Sequence, residues 1–142
     1  ELKENNQDKK IDIVKYKYIY FVFLMLMSVI AFFIASPILK LIVGEKFHQS
    51  ADVLPIIVVG QVFIGMYFVV TNYIFYVKKT KFLSYVTISC GLINFILLLI
   101  FIPMHGINGA AVAFLIANLL RFVATWVLSI KLYAMPWALW RK

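Results

Sequence analysis

In the stretch IANLLRFVATW, residues 116–126, Asn118, Arg121 and Thr125 recur at three- and four-residue spacing inside an otherwise apolar run. On a helix turning about 100° per residue, that spacing puts an amide, a guanidinium and a hydroxyl on one face, with Ser129 a turn further on. A cation among neutral hydrogen-bonding groups can hold an anion or line a hydrated path. No P-loop, H-E-x-x-H pair or nucleophile–base set accompanies it, so the pattern points to binding and not to an enzyme. Further candidates for the same path are Asn94, Asn72 and Gln61. Their alternative role is interhelical hydrogen bonding. His48 and His105 have no cysteine or carboxylate at ligand spacing, so neither a metal nor a cofactor is expected. Cys90 is the single cysteine and lies in an apolar segment, which rules out an intrachain disulfide.

These residues must be positioned by elements that live in lipid. Hydrophobic residues make up 64% of the 142 and charged residues only 14%, where soluble domains carry roughly a quarter. With a mean hydropathy of +0.95, the chain reads as a membrane protein. Crossing a bilayer takes about 20 mainly apolar residues. Four segments meet that length, at 18–43, 52–77, 81–102 and 107–132. The backbone must satisfy its own hydrogen bonds there, so the expected fold class is all-α, a polytopic protein of four transmembrane helices. Pro37 is expected to kink the first helix or end its regular part. Asp52 reads as the N-cap of the second, with Pro55 in its first turn. The segment PMHGING is short enough to require a tight reversal between the third and fourth.

Charge sets the orientation. Lys3, Lys9, Lys10, Lys15 and Lys17 precede the first helix, Lys78, Lys79 and Lys81 lie between the second and third, and Lys131, Arg141 and Lys142 close the chain. The opposite side has only Lys40 and Lys46. The positive-inside rule therefore places the 1–17 polar segment and the 133–142 tail in the cytoplasm. Tyr16, Tyr18 and Tyr20, with Tyr133, Trp137 and Trp140, suit the aromatic belt of that leaflet. The net charge of +8 is thus accounted for by solvated anchors, and no nucleic-acid partner is implied.

On the fourth helix Val112, Leu115, Leu119, Phe122, Val123, Trp126 and Ile130 share the side expected to face lipid. Gly109, Ala113, Ala117 and Ala124 lie beside the polar stripe, and such small residues let helices approach closely. Gln61, Gly65, Asn72 and Tyr76 form an arc on the second helix, as do Ser84, Thr87, Gly91 and Asn94 on the third. The first helix, with Ser28 alone in its apolar run, reads as peripheral. An arginine at mid-helix costs about 2.5–3.5 kcal/mol to insert. No Asp or Glu lies within the apolar segments, Asp52 standing at an edge, so a salt bridge within the chain is not expected. Three partners for Arg121 stay open: backbone carbonyls and amides such as Asn94, an acid elsewhere in a larger protein, or an anionic substrate in a hydrated cavity.

The stretches GEKFHQSADVLPIIVVGQVFIGMYFVVTNYIFYVKKTK and NFILLLIFIPMHGINGAAVAFLIANLLRF carry a resemblance. Gly44, Phe47 and Ser50–Ala51, then Leu54–Pro55, the KKTK loop, Asn94 followed by Leu97, and IP-x-x-GI-x-GAA from Ile102 to Ala111 resemble polysaccharide flippases. These are the O-antigen or Wzx-type members of the multidrug/oligosaccharidyl-lipid/polysaccharide exporter superfamily, and the similarity covers roughly residues 36–122. The resemblance implies a two-lobed transporter of 12–14 helices in a bacterial inner membrane. It would move an undecaprenyl-pyrophosphate-linked oligosaccharide from the cytoplasmic to the outer leaflet. This chain would supply its last four helices or four close to the end, with membrane lipid, the lipid-linked substrate and the missing N-terminal helices as partners. Arg121 would hold phosphate, and Asn118, Thr125, Asn94, Asn72 and Gln61 would offer hydrogen bonds to sugar along the path. The alternative is a complete four-helix accessory protein, GtrA-like, or an assembly subunit. A proton-coupled small multidrug transporter would need an intramembrane carboxylate.

The two readings differ in mass. An antibody against YAMPWALWRK should detect, in source-cell membranes, a band several-fold heavier than 16.4 kDa. A band at 16.4 kDa would instead make the four helices a complete protein.

Overall fold

Apolar segments with few competing polar side chains satisfy their backbone within helices, and the computed structural model, which describes residues 7–42 and 48–132, is helical there except for the turn at 77–79. Three helices result: α1 (Gln7–Ile42), α2 (His48–Tyr76) and α3 (Thr80–Leu132). Each contains a stretch long and apolar enough to cross a membrane: Ile11–Ile42, Ala51–Tyr76 and Thr80–Leu132. The 133–142 tail, and Gly44 and Phe47 of the family-like stretch, lie outside the described residues.

The helix count corrects the expectation of four, because segments 81–102 and 107–132 both fall within the 53-residue α3. A straight helix of that length would run about 80 Å, against a hydrocarbon core of about 30 Å. α3 avoids this with one residue: Gly106 (φ 57°, ψ −133°) breaks it into two arms, 80–105 and 107–132. Glycine takes that backbone conformation without a Cβ clash. The arms fold back on each other, since Tyr85, Cys90 and Ile93 share a shallow recess with Leu120 and Ala124. Gly109 packs so closely on the Phe101 carbonyl oxygen that an added Cβ would overlap it. The reversal expected within PMHGING is thus present, made at Gly106 with no intervening loop between the two arms.

α1 and α2 run antiparallel, with their ends tied by polar contacts. At one end the Lys17 ammonium stands 3.7 Å from the centre of the Tyr73 ring. At the other, Lys40 Nζ pairs with Asp52 Oδ1 at 2.5 Å, and Ser36 Oγ donates to the same oxygen at 3.5 Å. Between them Phe21 packs with Met66, Val70 and Phe122. α2 is the central element, contacting α1 on one side and α3 on the other. α1 is accordingly peripheral, with Phe23, Phe33 and Leu41 among its exposed side chains.

Three local expectations change. Asp52 is not the N-cap of α2, which begins four residues earlier at His48; its carboxylate is spent across the interface on Lys40. Pro55 is correspondingly past the first turn. α1 continues through Pro37 to Ile42, so Pro37 does not end the helix. Phe122 does not face lipid: it is only 6% exposed, because the aromatic pocket at Phe21 and Phe63 takes it inward. Leu119, Val123 and Ile130 of the same expected face are exposed.

The α2–α3 turn is built by Lys78, which adopts φ 57°. Lys79 N–H donates to the Ile74 carbonyl at 3.3 Å and Lys78 N–H to that of Phe75 at 3.0 Å, the pair of bonds that defines a Schellman C-cap.

The hairpin depends on the close approach at Gly109. Gly109→Ala should lower the stability of the purified protein in detergent by about 1–3 kcal/mol, read from its thermal unfolding, because the obstructing atom is backbone and cannot rotate away.

Candidate functional site

Arg121 lies in the second arm of α3, eleven residues before Leu132, or about 16 Å along the axis. Its direction is fixed by its neighbour. The Phe122 ring sits edge-on to Phe21 (5.8 Å between centroids, 85°) and nearly parallel to Phe63 (6.2 Å, 29°). With Phe122 anchored there, Arg121 points along the seam between α2 and α3. Its guanidinium carbon stands 5.9 Å from the Tyr67 ring centre, within cation–π range. Arg121 Nε is buried and has no hydrogen-bond partner among the described residues.

The polar residues around it fare differently. Thr125 and Ser129 are buried on the same arm, and both hydroxyls lack a partner among the described residues. Asn118 is buried and its Nδ2 donates to the Phe114 carbonyl at 2.9 Å, a bond within its own helix. Asn94, on the first arm, is half-buried with its Oδ1 enclosed and unpaired among the described residues. Gln61 and Asn72 stand apart: both are exposed, on a face of α2 that also carries Phe68 and Phe75. The structure therefore brings buried Asn118 and Thr125 and half-buried Arg121 onto one face, with Asn94 on the opposing arm, and leaves Gln61 and Asn72 away from it. The reason is that α1 and α3 occupy two sides of α2, and the remaining side holds the two amides.

Close packing accommodates this face. Gly109, Ala113 and Ala117 are buried beside it, and Gly60 of α2 lies against the Phe114 ring. Below Arg121, toward Lys79 and Lys81 in the chain, Tyr67, Phe75, Leu83, Ser84 and Thr87 line an open recess of about 380 Å³. Tyr67 belongs to both the recess and the Arg121 contact, yet the sequence did not mark it, because Tyr67 lies off the Gln61–Asn72 arc among apolar and aromatic neighbours of α2. Among the described residues no group of three or more His, Cys, Asp or Glu side chains could hold a metal ion.

Long apolar helices and a hairpin reversal define a multi-pass helical membrane protein. The family model MatE matches residues 5–100, more than half of the chain, and the chain belongs to that family: it is a membrane transporter of the multidrug/oligosaccharidyl-lipid/polysaccharide exporter superfamily. No curated protein and no solved structure matches it. The family match ends before Gly106 and Arg121, so the hairpin's second arm rests on its own geometry.

An unpaired buried hydroxyl costs about 1–3 kcal/mol. Thr125→Val, which keeps the shape and removes the hydroxyl, should leave thermal stability in detergent unchanged or raised. A clear loss would mean that the hydroxyl has a partner in the native protein.

Proposed function

We propose that this chain forms part of a transporter that flips a lipid-linked oligosaccharide, carried on undecaprenyl pyrophosphate, from the cytoplasmic to the outer leaflet of a bacterial inner membrane. The observation that carries the reading is Arg121: a cation on the inward side of the hairpin, its Nε buried and without a hydrogen-bond partner among the described residues. Among the described residues the membrane-crossing stretches hold two carboxylates, Asp12 and Asp52; both stand near helix ends, and they pair with Lys15 and Lys40 respectively. An anion that arrives with the substrate is then the natural counter-charge. The diphosphate must cross a region of low dielectric, and a fixed guanidinium lowers that barrier while the prenyl tail stays in lipid.

Two further features support the reading. The Ile102–Ala111 stretch resembles that of polysaccharide flippases, and Asn118, Thr125 and Asn94 present neutral groups suited to sugar hydroxyls. Lys17, Lys78, Lys79 and Lys81 mark one end of the bundle, which the positive-inside rule assigns to the cytoplasm, so both ends of the chain face the side on which the substrate is made. Rocking of two lobes about such a site is the usual logic of alternating access, with the helices contributed by the remainder of the transporter.

Substitution of Arg121 in the native gene tests the reading through the amount of polysaccharide at the cell surface. Arg121→Ala should reduce it about tenfold or more, the loss of a charge-assisted contact, and Arg121→Lys should retain an intermediate level because it keeps charge without the bidentate fork. Full transport by both variants would end the anion role.

A further inference from the structure

We infer that Tyr67 is a positioning residue for Arg121, presenting its guanidinium to a pyrophosphate group that enters through the recess beneath it. The inference rests on the anion-binding reading above and deepens it. Arg121 Nε is buried and has no hydrogen-bond partner among the described residues. The guanidinium carbon stands 5.9 Å from the centre of the Tyr67 ring.

That contact differs in kind from a salt bridge or a hydrogen bond. A ring quadrupole attracts the cation without consuming any of its N–H donors, so the fork that grips a phosphate bidentately stays available. An intramembrane acid would have fixed the arginine equally well and neutralised it.

The Tyr67 ring is itself packed: Phe68 lies edge-on to it at 5.4 Å between centroids. The same ring forms a wall of the recess lined by Leu83, Ser84 and Thr87, whose chain neighbours Lys79 and Lys81 stand at the lysine-bearing end. An anion drawn in by those lysines passes Ser84, whose Oγ donates to the Thr80 carbonyl at 3.4 Å, and Thr87 before it reaches the guanidinium. The recess, the tyrosine and the arginine thus form one route, with Tyr67 at the junction.

The experiment uses the purified product of the native gene in lipid nanodiscs and measures the ratio of its affinities for undecaprenyl pyrophosphate and undecaprenol, which isolates the headgroup. Tyr67→Leu should reduce that ratio about tenfold, the size expected when a desolvated cation–π contact is lost. Tyr67→Phe and Tyr67→Trp keep a ring face and should preserve the ratio. The double variant Tyr67→Leu with Arg121→Gln should be no weaker than Arg121→Gln alone. Melting temperature confirms that each variant is folded, and the Phe and Trp variants decide the matter should Tyr67→Leu fail to fold.

An unchanged ratio in Tyr67→Leu, an equal loss in Tyr67→Phe and Tyr67→Leu, or additive losses in the double variant would overturn the positioning role while leaving Arg121 as the anion site. If Arg121→Gln keeps the wild-type ratio, the anion reading itself falls, and the role of Tyr67 with it. Inorganic pyrophosphate bound as tightly as the lipid form, with the same dependence on both residues, would uphold the positioning role but overturn the lipid source of the anion.

Discussion

Hydrocarbon offers no hydrogen-bond partner, and almost every feature of this chain answers that constraint. The backbone responds by remaining helical from Gln7 to Ile42, from His48 to Tyr76 and from Thr80 to Leu132. Even the reversal of direction in α3 is confined to Gly106, which limits the number of backbone groups that leave the helical ladder. A hairpin so tight requires the arms to touch, and they do so at Gly109, where only a hydrogen side chain clears the Phe101 carbonyl.

The same constraint acts on Arg121. A guanidinium cannot sit against lipid tails at mid-helix without a cost of about 2.5–3.5 kcal/mol, so the arm that carries it must turn it inward. Aromatic packing does the turning. Phe122 is caught between Phe21 of α1 and Phe63 of α2, and Trp126 lies one turn further along at 5.3 Å from Phe122. Once those rings are seated, Asn118, Arg121, Thr125 and Ser129 have no freedom to face elsewhere. The apolar cluster and the polar face are two sides of one rotation.

Contacts at the helix ends divide the bundle into two poles. Lysines gather at one, where Lys17 rests on Tyr73 and Lys78 caps α2 in a left-handed conformation. The other pole holds the Lys40–Asp52 pair, partly exposed and therefore a weak clasp between α1 and α2. Among the described residues Arg121 lies between the two poles, on the second arm of α3.

Composition and segment length determined that the chain is helical and resides in a membrane, since apolar runs of about 20 residues fit a spanning helix and are about twice the length of a barrel strand. The period of α3 placed Asn118, Arg121 and Thr125 on one face before any contact was known, because side chains 100° apart on a regular helix have no choice of neighbours. Hydrophobicity could not separate two helices from one broken helix, as the difference lies in the dihedrals of Gly106 alone. Nor could it send Phe122 inward or leave Gln61 and Asn72 exposed: in a chain apolar on all sides, both lipid and protein accept a hydrophobic face. Which partner each face meets is decided by packing around α2, and only the tertiary structure brings Tyr67 to Arg121.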